Sequence, residues 1–226
     1  MGARIGMPSM PQVPRMLARK LDVAQGATVT SVLRDGGEWV LRKDSSNFRA
    51  DLLVLAIPAP QARDLLGPTH SLDPDLERVG FHASVTVMVG LDPEAPRPFV
   101  TQKGEGARAW VVQDSAKPGR EGQPLTAWVV QADPEWSRAY IVLPVARLAD
   151  LVAPRLLQLL GALDDHVRYQ AAHRWLYAQA SRPLGQPFLA NDDAGLVVGG
   201  DRGLGPMAED GWASGRTRAD HLLARL

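Results

Sequence analysis

The sequence contains no cysteine among its 226 residues. This absence excludes disulfide bonds, thiolate metal sites, thiol nucleophiles and cofactors linked through cysteine, and it leaves the redox compartment open. An excess of charge of one sign is also lacking, since 25 basic residues are balanced by 25 acidic ones. A neutral chain has no general electrostatic attraction for nucleic acid or a membrane surface, so we expect neither as a partner.

Long apolar runs and the common catalytic motifs are missing as well. No run reaches the length of a membrane span, and the N-terminus lacks a signal-peptide core, so we expect a cytoplasmic protein. The five histidines show no metal-ligand spacing such as H-E-x-x-H, and there is neither a Walker lysine motif nor a G-x-S-x-G elbow. These absences leave the hydrolase, metalloenzyme and NTPase classes without support, and we predict no metal site.

The most informative stretch lies near the C-terminus. An apolar run, residues 195–198, ends in Gly199-Gly200-Asp201, a pattern typical of a buried strand that stops at a ligand-facing turn. Glu209 and Asp210 then open a predicted helix whose apolar positions include Trp212 and Leu223. A carboxylate accepts hydrogen bonds from hydroxyls, and a helix N-terminus suits a carbonyl or an anion. The competing interpretation is a plain turn with Asp210 as an ordinary N-cap.

A dinucleotide fingerprint is mimicked in the same region. Gly203, Gly205 and Ala208 match G-x-G-x-x-A after a strand. Confirmation would need a second strand ending in an acidic residue about twenty positions further on, and the sequence ends at Leu226. We therefore reject this match.

The remaining pattern predicts an α+β fold. Asp35-Gly36-Gly37 indicates a β-hairpin. Residues 51–57 are apolar nearly throughout, as expected of a strand covered on both faces, and a helix follows over 59–66. From residue 67 onward, prolines separate shorter segments that we interpret as an inserted antiparallel sheet. Its predicted elements are strands at 85–89, 109–112, 125–130 and 166–178 and a helix at 146–160, kinked at Pro154.

One predicted strand carries a polar and aromatic cluster. Strand alternation places His173, Trp175 and Tyr177 on one face, which suits a flat ligand. A sheet face that packs its rings into a core explains the pattern equally well.

Five separated segments also carry a family resemblance. They resemble renalase-like, FAD-dependent proteins of the flavin-containing amine oxidase superfamily, including bacterial NAD(P)/FAD-dependent oxidoreductases. The segments, in chain order, are Ala50 to Ala62 with its A-x-P-x-P-Q-A turn, Ser115-Ala116-Lys117-Pro118, Trp136-Ser137-Arg138, His173 to Ala178, and Gly200-Asp201 with Trp212-Ala213-Ser214-Gly215.

The resemblance implies FAD as the cofactor and assigns roles to individual residues. Asp201 would bind the ribityl or diphosphate region, and the backbone near Asp210 and Gly211 would meet the flavin pyrimidine edge. The implied cofactor-binding residues are Val29, Ala56, Pro58, Asp201, Asp210, Gly211 and Trp212. The implied catalytic residues, which would border the substrate, are His173, Trp175 and Tyr177.

Two departures from the family pattern accompany the resemblance. Family members begin with a strand, a glycine-rich turn and a helix that hold the ADP half of FAD, whereas Gly6 to Met10 already correspond to a point well inside that chain. In addition, Arg202 stands where members often have tryptophan. We expect residues 1–66 and 191–226 to form the remnant of an FAD-binding domain, and residues 67–190 to form the substrate-binding domain.

The implied function is flavin-dependent oxidoreduction of the amine oxidase or renalase type. Hydride would pass from a small amine, or from NAD(P)H, to flavin and then to O2. The alternative is a truncated or split-gene remnant that acts as a binding module or needs a partner chain. For the isolated chain we expect no bound FAD, no oxidase activity and a tendency to self-associate.

Overall fold

The computed structural model describes residues 11–43, 46–120 and 122–225. The N-terminal segment compared with the family, residues 6–10, therefore lies outside the described residues. The α-helices of the described part are α1 Gln12–Leu17, α2 Ala59–Leu66, α3 Asp73–Glu77, α4 Pro134–Tyr140, α5 Val145–Leu160, α6 Asp201–Leu204 and α7 Ala208–Leu223.

The strands of the same part form three sheets. In chain order they are β1 Ser31–Asp35, β2 Glu38–Lys43, β3 Ser46–Ala50, β4 Leu53–Leu55, β5 Gly80–Leu91, β6 Thr101–Lys103, β7 Trp110–Gln113, β8 Thr126–Gln131, β9 Val167–Arg182, β10 Phe188–Asn191 and β11 Leu196–Gly199. The sheet orders are β1-β2-β3, β10-β11-β4 and β6-β7-β8-β5-β9. The fold class is confirmed as α+β with an antiparallel sheet in the inserted region.

The chain divides into two compact units. The first contains residues 1–23 and 83–176, and the second contains residues 24–82 and 177–226. Two of the three boundaries fall inside long strands, β5 and β9, and the third lies between residues 23 and 24, before β1. The predicted assignment of residues 67–190 to a substrate-binding domain stays a prediction.

The first unit is built around the five-stranded sheet and α5. Leu148, Val152 and Leu156 recur at helical spacing along α5 and are fully buried, as the apolar stripe of that helix predicts. They share one core cluster with the alternating inward residues of β5 and with Trp128 of β8. Pro154 lies within α5, where it lacks the N–H that would bond the carbonyl of Asp150.

In the second unit, the predicted hairpin and the helix α2 are confirmed. The turn of the hairpin is Gly36–Gly37, where both glycines have positive φ, and α2 spans the predicted residues. The sequence analysis missed β3, because its residues are mostly polar and exposed and therefore lack a buried-strand signature. No helix in the described ranges combines the length and the apolarity that crossing a bilayer requires.

The interpretation of residues 51–57 as a strand covered on both faces is wrong. The strand β4 is only Leu53–Leu55, and the side chain of Val54 is 43% exposed between two buried leucines. The reason is that Leu53 and Leu55 pack one face of β4 into the core, whereas the face that carries Val54 is only partly covered by the described residues. Among those residues β4 pairs with a single strand, β11.

The predicted apolar face of α7 is also wrong. Trp212 and Leu223 are exposed, whereas the buried residues of this helix are Ser214 and Arg218. Tertiary contacts outweigh hydropathy here, because the hydroxyl of Ser214 is the group that attaches α7 to its neighbours. It accepts the N–H of Gly200 at 3.0 Å and donates to the carbonyl of Pro187 at 2.6 Å.

Replacing Ser214 with alanine should therefore destabilise the protein. The change leaves the Gly200 N–H and the Pro187 carbonyl without a partner next to a fully buried position, which costs about 1–3 kcal/mol of unfolding free energy. Urea unfolding followed by circular dichroism measures the difference.

The matched control is Thr217→Ala on the same helix. Thr217 is exposed, and its hydroxyl donates only to the preceding turn, at Ala213. The control should change the unfolding free energy by less than about 0.5 kcal/mol. Equal effects of the two substitutions would contradict the role given to Ser214.

Candidate functional site: the turn between β11 and α7

Parallel pairing brings two strand ends to the same edge in the second unit. β4 and β11 pair in the register Leu53 with Leu196 and Leu55 with Val198. The two strands therefore end at the same edge of the sheet. Ala56 follows β4 there, and Gly200-Asp201 follow Gly199, the last residue of β11. The carboxyl edge of parallel strands is where α/β proteins commonly bind ligands.

The turn itself depends on glycine. Gly200 has φ of +145°, a value that side chains rarely tolerate. Gly199 is also constrained, since a Cβ at that position would lie 2.9 Å from Cδ of Arg218. Both glycines of the motif are therefore required by the local structure.

Asp201 is the exposed polar group of this turn. Its Oδ1 accepts the N–H of Arg202 at 2.8 Å, and the rest of the side chain faces solvent. Within the described chain, the N–H of Asp201 itself has no acceptor. The residue therefore offers an accepting carboxylate and a donating N–H.

Gly211 of α7 leaves this N–H uncovered. A Cβ built on Gly211 would lie 3.8 Å from the backbone nitrogen of Asp201. The N–H groups of Asp210 and Gly211 already donate to the carbonyl of Met207, and Oδ2 of Asp210 accepts the N–H of Met207 at 2.9 Å. Asp210 thus caps its own helix, and the contribution of Gly211 to the turn is its missing side chain.

Other predicted cofactor residues lie in the same unit. Ala56 is exposed directly after β4, and Pro58 precedes the first residue of α2. Trp212 has 58% of its surface exposed near the start of α7. Val29 lies half-buried in the segment before β1.

The predicted catalytic residues lie on β9. His173 and Trp175 are exposed in the first unit, with ring centroids 4.2 Å apart. Tyr177 belongs to the second unit and packs edge-on against Phe81 at 5.5 Å. No group of three histidine or acidic side chains in residues 11–43, 46–120 and 122–225 is arranged to hold a metal ion.

Two arginines near the turn were not predicted as functional residues. Arg202 is 3% exposed and donates through Nη2 to the carbonyl of Leu55 at 3.1 Å. Burial, opposed by the Asp201 carboxylate and reinforced by the charge of Arg218, lowers the pKa of Arg202 to about 10. Arg218 is 8% exposed, and burial lowers its pKa too. For Arg218 the sequence offered one signal, because Ser214 and Arg218 are four positions apart and therefore lie on the same face of α7.

The fingerprint-like glycines lie close to other residues of the chain. Gly203 lies inside α6, and a Cβ there would approach the carbonyl oxygens of Pro187 and Gln186 to 2.6 and 2.7 Å. Gly205 is equally close to the carboxylate of Asp210. Both glycines are therefore required by close packing within the chain, and the rejection of this match stays a prediction.

The residues at the turn fit part of a flavin dinucleotide. An exposed carboxylate suits the polyol hydroxyls, and the open N–H under Gly211 suits a phosphate or carbonyl oxygen. The exposed methyl of Ala56 leaves space for an approaching ring.

Comparison with known proteins identifies the family of this chain. The model of the flavin containing amine oxidoreductases matches residues 1–223. Among solved structures, cyclohexylamine oxidase from Brevibacterium oxydans IH-35A is similar, with a TM-score of 0.70 at 12% sequence identity. The superposition covers 96% of this chain and 53% of the cyclohexylamine oxidase chain. A protein assigned as a protoporphyrinogen oxidase from Exiguobacterium sp. 255-15 has a TM-score of 0.70 at 17% sequence identity, and the match covers 96% of this chain and 51% of that protein.

A putrescine oxidase bound to putrescine is a third similar structure, with a TM-score of 0.62 at 16% identity and coverage of 95% and 53%. The chain thus spans about half the length of these solved structures. At such identities the structural similarity establishes the fold, and the match to the family model over residues 1–223 establishes membership. The chain belongs to the family of flavin-containing amine oxidoreductases.

Proposed function

We propose that this chain provides the flavin-contacting part of an FAD-dependent amine oxidoreductase of the renalase-like group. The observation that carries the proposal is the turn after β11. There Asp201 presents an exposed carboxylate and an N–H without an acceptor in the described chain, beneath a helix residue that has no side chain. Because the isolated chain is expected to purify without FAD, the direct test is a titration with FAD, followed by flavin fluorescence, of the chain fused to a glycine-rich strand–turn–helix segment of the family type.

Each group at the turn has a distinct task in this proposal. The Asp201 carboxylate accepts hydrogen bonds from ribityl hydroxyls, and its N–H donates to an oxygen of the cofactor. Ala56 and Trp212, both exposed, border the ring system. A bound flavin would accept a hydride from the substrate and pass the electrons to O2. The protein's contribution is orientation and electrostatics.

On the substrate side, the proposal assigns His173 and Trp175. Their rings are in contact on an exposed strand, and the face of a tryptophan ring attracts cations. A small amine, which is cationic at neutral pH, is therefore the favoured substrate. A dihydronicotinamide is the second choice, because its flat ring can stack on the same surface.

A second candidate function is a non-catalytic binding module, or one chain of a two-chain protein. The observation that favours it is that both glycines of the G-x-G-x-x-A match serve internal packing, so this match does not cradle a diphosphate. Riboflavin has no phosphate, so its binding shows whether the flavin contacts are present even when FAD does not bind. Riboflavin binding without tight FAD binding would support the second candidate.

Gly211→Val should weaken flavin binding about tenfold, a loss of about 1.4 kcal/mol. A Cβ at position 211 would lie 3.8 Å from the backbone nitrogen of Asp201, so a branched side chain there would cover this N–H without clashing with the backbone. Fluorescence titration with FAD measures the change. Gly215→Val, the same substitution one turn further along α7, is the control. If a folded Gly211→Val protein bound FAD as tightly as wild type, the assignment of the cofactor to this position would be wrong.

Asp201→Ala should lower flavin affinity by about 1.5–3 kcal/mol, the range for hydrogen bonds to a charged group. Isothermal titration with riboflavin measures it, since riboflavin carries the polyol hydroxyls. Asp193→Ala is the control, because Asp193 is an exposed acid in the turn at the opposite end of β11. Equal dissociation constants for Asp201→Ala and wild type, with a lower melting temperature in Asp201→Ala, would make Asp201 a turn residue.

A further inference from the structure

A cavity of about 310 Å³ lies beside α4 in the first unit. Its lining residues are Gly106, Asp133, Glu135, Trp136, Ala139 and Tyr140. The volume is at the small end of the range for ligand pockets, roughly 300–1,000 Å³, so the cavity suits a small molecule. None of the lining residues belongs to the flavin turn or to the substrate surface of the proposed function.

Two aromatic rings form one wall of this cavity. Trp136 and Tyr140, which are four positions apart on α4, stack with ring centroids 4.4 Å apart and an angle of 24° between the ring planes. Trp136 is half-buried and packs against the core of the first unit, whereas Tyr140 is 39% exposed. The face of an aromatic ring attracts a cation. Among the described residues, the cation that lies over a ring is Arg34, over Trp39, so neither ring of the stack is engaged in this way.

Hydrogen bonds hold the wall in place. Oδ1 of Asp133 accepts the N–H of Trp136 at 2.7 Å, and Oδ2 accepts the N–H of Gly106 at 2.6 Å. The fully buried hydroxyl of Ser137 accepts the N–H of Val85 on β5 at 3.0 Å. These bonds fix α4 both to the turn that carries Gly106 and to the sheet, so a ligand would meet a preorganised surface.

The charged side chains that line the cavity are both acidic. Asp133 uses both carboxylate oxygens for the backbone bonds described above. Glu135 is exposed, and it has no hydrogen bond or ion pair with other described side chains. A carboxylate at the rim is therefore available to a ligand of opposite charge.

Three arginines lie near α4 without lining the cavity. Positions 135, 136, 139 and 140 share one side of the helix, and Arg138 falls outside it. Arg174 donates to the carbonyl of Ile141 at 3.2 Å, and Arg108 lines a separate cavity. These charges offset the general field of the two acids, so attraction for a cation depends on direct contact with Glu135 and the rings.

We propose that this cavity binds a small organic ammonium ion with alkyl groups on its nitrogen. The aromatic stack contacts the alkylated nitrogen, and Glu135 supplies the opposite charge. A metal ion fits less well, because it requires several oxygen ligands and both oxygens of Asp133 are already engaged. The site does not depend on the proposed function, since its residues have no part in flavin binding there.

Choline is the probe for this site, and its uncharged analogue with carbon in place of nitrogen is the matched ligand. Isothermal titration of the full chain without FAD, at an ionic strength held constant with sodium chloride, measures both. Choline should bind saturably, and the uncharged analogue should bind about tenfold more weakly, because it has neither the cation–π attraction nor the attraction to the carboxylate. Equal binding of the two ligands, or no binding of choline, would overturn the proposal.

Two variants locate the ion in the cavity. Tyr140→Leu should bind choline about fivefold more weakly, because it keeps an apolar side chain and loses the ring face. Glu135→Gln should bind it about threefold more weakly, because it keeps the shape and loses the charge. The controls are Tyr169→Leu and Glu94→Gln, at exposed residues of the same unit that do not line the cavity, and both should bind choline like wild type.

A third variant, Trp175→Leu, separates this cavity from the substrate surface on β9, where an exposed ring can also attract a cation. Choline binding that persists in Trp175→Leu and weakens in Glu135→Gln supports the proposal. Binding that is lost in Trp175→Leu and unchanged in Glu135→Gln would place the ion on β9 and overturn it. Glu135 has no partner to lose, so this comparison decides the question even if Tyr140→Leu does not fold. The titrations contain no flavin, so a failure of FAD binding would leave their result unaffected.

Discussion

The parallel pairing of β4 with β11 is the constraint on which the candidate site depends. It joins segments more than 140 positions apart and fixes which residues leave the sheet together, Ala56 from one strand and Gly199-Gly200-Asp201 from the other. Ser214 then holds α7 against this edge through its bonds to Gly200 and Pro187. Gly211 consequently lies over Asp201, so one backbone register and one hydroxyl set the geometry of the turn.

The distribution of charge around this turn differs from what the overall composition suggests. The chain as a whole is neutral, yet the second unit buries two arginines beneath the turn with no carboxylate bonded to either in the described residues. Arg202 replaces the tryptophan that the family resemblance led us to expect, and its bond to Leu55 ties it to the end of β4. A departure from the family pattern is thus part of the local structure.

Local chemistry made part of this structure predictable from the sequence. The Asp35-Gly36-Gly37 turn, α2 and the apolar stripe of α5 depend on residues close together in the chain, and all were predicted. What failed depends on tertiary partners. Val54 is exposed because of what β4 packs against, and α7 buries Ser214 and Arg218 in place of its apolar residues because their partners come from other segments. The roles of His173, Trp175 and Asp201 stay predictions, since no contact among the described residues distinguishes a ligand-binding group from an exposed one.

Hydrogen exchange followed by mass spectrometry, with and without saturating FAD, tests the central claim most directly. The account predicts slower exchange in peptides that cover residues 53–57 and 199–203, because a bound cofactor covers both strand ends and occupies the N–H of Asp201. The hairpin of β1 and β2 lies in the same unit and should exchange at an unchanged rate. Protection of other segments alone, or none at all with FAD bound, would contradict the assignment of this turn as the flavin site.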